Sequence, residues 1–123
     1  MENKEYLTIE QENGSINISE EVIASIAALA VQEVDGVVGL YGGIQTELTD
    51  RLNKKALNKG VHISVENDKI IISCNITLCY GVSIAEAAKA VQEKVISAVQ
   101  AMTGLKVEAV NVHVSAISML KKD

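Results

Sequence analysis

The chain contains no proline, no tryptophan and no phenylalanine, and it has only three tyrosines and two cysteines in 123 residues. Each shortage removes an option. With almost no aromatic rings there is no platform for unpaired bases to stack on, which argues against a reader of single-stranded nucleic acid. Acidic residues outnumber basic ones, giving a net charge of −5, and lysine and arginine are scattered except for the pairs Lys54-Lys55 and Lys121-Lys122. That balance repels phosphate backbones rather than neutralising them. Two cysteines do not make the disulfide framework of a small secreted fold. No apolar run approaches the ~20 residues that span a bilayer. The opening segment Met1–Asn13 carries Glu2, Glu5, Glu10 and Glu12 and lacks a hydrophobic secretory core. These features point to the cytoplasm, without nucleic acid and without direct membrane insertion.

What is present is aliphatic. Hydrophobic residues make up 48% of the chain, so valine, isoleucine, leucine and alanine have to fill one core. At this length a single domain buries roughly two-thirds of its unfolded surface. With no proline, the glycines carry the sharp turns.

Periodicity assigns the elements. Residues 1–13 read as a polar lead with a short strand at Tyr6–Ile9, and Gly14–Ile18 alternates at period two. Ser19 is an N-cap, with Glu20 and Glu21 well placed on the helix dipole. Val22, Ile23, Ile26, Ala27, Ala30 and Val34 then predict a helix from about 20 to 33. Asp35–Leu40 suits a brief strand or tight connection, and Thr46–Lys59 reads as a second, weaker helix ending at Gly60. Val61, Ile63 and Val65 alternate with polar residues, Asn67-Asp68 forms a two-residue turn, and Lys69–Tyr80 alternates again. If Glu66 pairs with Lys69, then Val65 faces Ile70, Ile63 faces Ile72 and Val61 faces Cys74, and all six share one side.

Ser83-Ile84-Ala85-Glu86 is a capping box. It opens a helix whose apolar stripe is Ile84, Ala87, Ala88, Val91, Val95, Ala98, Val99 and Met102, closed by Gly104. The last strand changes parity between Ala109 and Val110, which predicts a bulge there. Strand 69–80, helix 84–102 and strand 110–117 form a strand–helix–strand unit whose two strands should be parallel. The fold class is therefore α+β, in two layers. Helices pack on one face of a mixed sheet, and the β-hairpin 61–80 is followed by the strand–helix–strand unit.

That arrangement gives the sheet two unlike faces. The helix side collects Val61, Ile63, Val65, Ile70, Ile72, Cys74, Ile76, Leu78, Val110, Val112 and Val114. The opposite side collects His62, Ser64, Ile71, Ser73, Asn75, Thr77, Cys79, Asn111, His113 and Ser115, with no formal charge. Solvent-facing sheets usually carry lysine and glutamate, which resist unwanted association. A neutral face of hydroxyls, amides and imidazoles is far cheaper to desolvate than a charged one. It is the candidate interaction face, for a partner or a second copy. The competing reading is an ordinary wet sheet face. Strand 69–80 also outruns its hairpin partner, so Asn75–Tyr80 needs other neighbours. Strand 110–117 can supply one edge, leaving the other to the N-terminal strand or another chain.

Chemical motifs are weak. His62, His113 and Cys79 share a face, but structural zinc takes four ligands in tight local pairs and that spacing is missing. Nothing marks Cys79 as an activated nucleophile beside a histidine. Cys74 and Cys79 lie about 16 Å apart on opposite faces of one strand, too far for a disulfide, and Cys74 reads as a small core hydrophobe. Glycines 36, 39, 42 and 43 resemble a phosphate loop superficially, without the Gly-Lys-Ser/Thr or GxGxxG that such loops need. Glu86 and Glu93 beside Lys89 read as a solvated helix surface. No catalytic residue, metal site, cofactor or small-molecule substrate is assigned.

A series of segments carries a family resemblance. Gly14-Ser15-Ile16-Asn17-Ile18-Ser19 leads into Ile26-Ala27-Ala28-Leu29-Ala30 and Glu33-Val34-Asp35-Gly36-Val37. Gly60-Val61-His62-Ile63, Tyr80-Gly81-Val82-Ser83-Ile84, Val91-Gln92-Glu93-Lys94-Val95, Met102-Thr103-Gly104-Leu105 and Val110-Asn111-Val112-His113-Val114 follow. In order and spacing, residues 14–117 resemble the alkaline shock protein family, small general-stress proteins of Gram-positive bacteria. No one of these segments is specific alone.

The resemblance implies a single alkaline-shock-type domain at 14–117 after the lead 1–13, with a short tail at 118–123. It also implies a non-enzymatic, self-associating interaction module of envelope stress, held at the cell envelope by a membrane-anchored partner protein. Some branches of the family are linked to lipid metabolism, so the alternative is a regulator that binds a metabolic enzyme of fatty-acid synthesis. A third class, a small hydrolase or ligand binder, would need a defined pocket.

Overall fold

The computed structural model describes residues 6–41, 60–66 and 69–119. In chain order the elements are β1 (Tyr6–Gln11), β2 (Gly14–Ser19), α1 (Glu20–Gln32), β3 (Val37–Leu40), β4 (Val61–Glu66), β5 (Lys69–Cys79), α2 (Ile84–Thr103) and β6 (Val107–Ser118). The helix expected over Thr46–Lys59 and the Asn67-Asp68 turn lie outside the described residues. The fold is α+β, as the alternation patterns indicated, and its first strand is longer than expected, reaching Gln11.

β5 is the axis of the main sheet. β4 pairs with it antiparallel in the predicted register, with Glu66 opposite Lys69, Val65 opposite Ile70, Ile63 opposite Ile72 and Val61 opposite Cys74. β6 runs parallel along the other edge from Ile70 to Cys79. The upper half of the β4 edge is filled from within the chain, by β3 rather than by the N-terminal strand or another chain. Val37 lies opposite Leu78, Gly39 opposite Thr77 and Leu40 opposite Ile76.

β3 and β4 thus lie end to end along one edge of β5, and Asn75 bridges the join. Its N–H donates to the Gly60 carbonyl and its carbonyl accepts from the Tyr41 N–H, both at 2.8 Å. The join is tight: a Cβ on Gly60 would stand 2.9 Å from Leu40 Cβ and from the Tyr41 oxygen. β1 and β2 form a separate two-stranded sheet joined at Gln11 and Gly14.

Both described helices begin on a serine. The Ser19 Oγ accepts from the Val22 N–H at 3.2 Å, and the Ser83 Oγ accepts from the Glu86 N–H at 3.4 Å. Gly104 ends α2 in the left-handed region at φ 77°, where glycine avoids a Cβ clash. Ile23, Ala27 and Val31 of α1 and Ala87, Val91, Val95 and Val99 of α2 are buried with Ile70, Ile72, Cys74, Ile76 and Leu78 of β5. Fully burying a valine, isoleucine or leucine side chain stabilises by about 1.5–3 kcal/mol, so this aliphatic layer replaces the missing aromatic core.

Two glutamines fasten α2 to β6. Gln92 Nε2 donates to the Val110 carbonyl at 2.9 Å, and Gln100 Oε1 accepts from the Val107 N–H at 3.1 Å. Between these points the ladder steps from Val107 to Ala109, so the extra residue is Glu108. The bulge falls just before the expected Ala109–Val110 position, and both Val107 and Val110 are left facing the core.

Parts of the apolar stripes stay uncovered. Ile84, Met102 and Val22 are exposed, as is Val65 at the hairpin end of β4. Val112 and Val114 are partly buried against the core.

Candidate functional site

Strand alternation builds the candidate face from three strands. His62 lies opposite Ser73, and Ser64 opposite Ile71, on the β4 side of β5. On the β6 side Ser73 lies opposite Asn111, Asn75 opposite His113, Thr77 opposite Ala116 and Cys79 opposite Ser118. Ser73, Asn75 and Thr77 form a half-buried central row, and His62, Ser64, Asn111 and His113 are exposed on its flanks. Ser115 is exposed where the ladder steps from Val114 to Ala116, so it is the extra residue of a second bulge.

The face is not neutral throughout. Glu66 continues the His62–Ser64 side of β4 and lies opposite Lys69. These opposite charges sit at the hairpin end and favour each other across the strands. The uncharged band begins one step further in and runs along β5. Cys79 belongs to this side by alternation but is buried, and its thiol donates to the Tyr80 carbonyl at 3.5 Å. Cys74 faces the helices, and burial pushes its thiol up from 9.0 to about 11, leaving an inert neutral sulfur at neutral pH.

The same registers keep the titratable groups apart. His113 is level with Asn75, and Cys79 is four residues further along β5, about 13 Å away. His62, level with Ser73, and His113, level with Asn75, stand on opposite flanks of β5, two strand spacings across and two residues along, about 12 Å from each other. Among the described residues no three His, Cys, Asp or Glu side chains come together as a metal site would need.

A cleft of about 430 Å³ lies between the end of α1 and the start of α2, lined by Glu33, Asp35, Ser83, Glu86 and Lys94 among others. Its polar groups are mostly committed, with Ser83 capping α2 and Lys94 Nζ 3.3 Å from Glu33 Oε1.

Sequence reasoning missed the Gly60–Asn75 join and the exposure of the helix stripe ends. A four-residue strand such as β3 is too short to show a period, so its pairing edge was invisible. Gly60 did stand out, but as a helix terminator rather than as a point of close backbone approach.

These features define a two-layer α+β domain with two described helices on one face of a mixed sheet and a polar, mostly uncharged band on the other. The chain belongs to the alkaline shock protein family that its ordered segments resemble, a family described by a cell envelope-related function and matched over residues 8–119. It is 36% identical over 104 residues to the Bacillus subtilis protein YqhY, covering 85% of this chain and 77% of that one. To YloU of the same organism it is 38% identical over 106 residues, 85% of this chain and 88% of that one. A Streptococcus pyogenes serotype M3 relative named a stress response regulator gls24 homolog is 30% identical over 102 residues, 82% of this chain and 57% of that one. Among the described residues no helix is long and apolar enough to cross a membrane.

Proposed function

We propose that this chain is a non-enzymatic protein-interaction module of cell-envelope homeostasis. It docks a partner protein through the uncharged band of the sheet, associates with copies of itself, and works in the cytoplasm close to the envelope by way of a membrane-anchored partner. The observation that carries the reading is the row Ser73, Asn75 and Thr77 with its flanks His62, Ser64, Asn111 and His113, on the side of the sheet opposite the helix-packed core. Neutral amides and hydroxyls leave water at about 0.5–3 kcal/mol each when partly compensated, far below the cost for an ion. They both donate and accept, so a partner's backbone or side chains can satisfy them.

At about 4.8 Å between strands and 3.3 Å per residue, about ten residues each of β5 and β6 with the six of β4 present roughly 400 Å² of projected area. A standard interface buries about 800 Å² per partner, so the band suits a modest, reversible contact or one reinforced elsewhere. The family's envelope description and the stress-regulator name of the streptococcal relative support this setting. Affinity capture from native-host extract, with mass spectrometry, compares the wild type with Asn75→Lys. We expect envelope-associated proteins to be recovered by the wild type and lost with the variant. Equal recovery by both refutes the assigned face, and recovery of soluble biosynthetic enzymes instead favours the metabolic alternative.

A further inference from the structure

The two edges of the main sheet are unlike. β3 and β4 share one edge as two short strands. β6 runs 12 residues along the other, and among the described residues no strand pairs with its far side. Which backbone groups face outward there follows from Asn75. Its N–H and carbonyl turn towards Gly60 and Tyr41, so the alternate residues Ile72, Cys74 and Ile76 turn theirs towards β6. In a parallel ladder each of these bonds the two residues flanking its opposite number. The opposite numbers are Val110, Val112 and Val114, so their own N–H and carbonyl groups point away from β5.

α2 caps only the start of this row. Gln100 Oε1 accepts from the Val107 N–H, and Gln92 Nε2 donates to the Val110 carbonyl. One turn beyond Gln92 the helix carries Ala88 and Lys89, and among the described residues no side chain bonds the backbone of Val112 or Val114. Their donors and acceptors stand in a line, about 7 Å from one residue to the other. No lysine, acid or proline interrupts Ala109–Ser118, although such residues commonly guard an exposed edge. Bulges at Glu108 and Ser115 bound the regular window to Ala109–Val114. That length suits a short segment better than edge-to-edge pairing of two whole sheets.

We infer that an extended segment of the partner protein adds to the sheet as a strand beside Ala109–Val114. The inference rests on the interaction-module reading above and specifies how the partner is held. An extended backbone matches the row because its own donors and acceptors recur at strand spacing. Alternation sets the segment's side chains. Those on the helix side meet Val112 and Val114, partly buried against the core, and are apolar. Those on the other side meet exposed Asn111 and His113 and are polar. The edge borders the uncharged band, which supplies only about half of the area that a standard interface buries per partner. Strand and band together come closer to that size.

Amide hydrogen exchange read by NMR on the full chain tests this. The probe is a synthetic peptide of alternating valine and threonine, about ten residues long with a lysine at each end. In the free protein the Val112 and Val114 amides should exchange at least about tenfold faster than those of Asn111 and His113, which donate to β5. Saturating peptide should slow Val112 and Val114 by at least about tenfold, and a peptide with proline at alternate positions should not. Val112→Pro removes an outward donor and no ladder bond, so the peptide should no longer protect Val114. If that variant lowers the melting temperature, Val114→Lys places a charge on the edge instead, with Val112 as the readout. Outward amides that are slow in the free protein at every concentration, or that peptide leaves unchanged, would overturn the inference. Protection that grows with protein concentration alone makes a second copy the occupant and also overturns it. Partner capture separates the two readings. No peptide protection, with capture still lost in Asn75→Lys, sinks the added strand and leaves the band. Peptide protection, with capture kept in Asn75→Lys and lost in Val112→Pro, does the reverse.

Discussion

Replacing Gly60 with alanine places one methyl group at the join where β3 and β4 meet beside β5. The added Cβ would stand 2.9 Å from Leu40 Cβ, 2.9 Å from the Tyr41 oxygen and 3.0 Å from the Asn75 oxygen. Carbon contacts are comfortable near 3.5–4.0 Å, so the strand ends must part by several tenths of an ångström or more. Two of the three obstacles are backbone oxygens, which cannot rotate away. Overpacking of this kind costs about 1–3 kcal/mol. Parting the strands also stretches the Tyr41–Asn75 and Asn75–Gly60 hydrogen bonds, both 2.8 Å and each worth about 1 kcal/mol net. Against this, alanine restricts the unfolded chain and returns about 0.4–1 kcal/mol. The expected net loss is about 1–3 kcal/mol, read as a lower urea midpoint at unchanged slope. Gly39→Ala is the matched control, since nothing lies within 4 Å of its added Cβ, and it should change stability by less than about 0.5 kcal/mol. A Gly60→Ala protein as stable as the wild type, or less affected than Gly39→Ala, would refute the end-to-end arrangement.

Further outcomes follow from the core. Cys74 keeps its proton in the native state up to about pH 11, whereas the unfolded thiol releases it near 9. Its folded-state contribution is therefore intact below pH 9 and fades as pH rises towards 11, by up to about 2–3 kcal/mol. Urea midpoints at pH 8 and 10.5 should show this loss in the wild type and a smaller one in Cys74→Ala. Ile76 is fully buried, opposite Leu40 and Val114, so Ile76→Ala should cost about 2–5 kcal/mol in thermal or urea unfolding. Ser83→Ala removes the cap that accepts the Glu86 N–H and should cost about 1 kcal/mol in the same assay.

The hairpin and its partners were legible because alternation there is long and strict. Six positions from Val61 to Cys74 fix one register, and a slip by one residue would scatter them over both faces. The two serine caps and Gly104 likewise marked the helix ends through local chemistry alone. The remainder depended on tertiary information. Ile84 and Met102 fit the helical period yet stay exposed, and no local pattern reports where a neighbour ends. The neutral sheet band was readable as a residue list from strand parity. The charged pair Glu66–Lys69 at its margin and the burial of Cys79 emerged only with the neighbouring strands in place.

Photo-crosslinking inside the native host addresses the docking face most directly, with a benzophenone amino acid placed at Thr77 on the central row and, as control, at Lys89 on the exposed side of α2. A face built to be desolvated by another protein should yield discrete protein adducts from position 77 and few from position 89. If position 77 gives none under conditions where position 89 does, the sheet band is merely wet and the partner binds elsewhere.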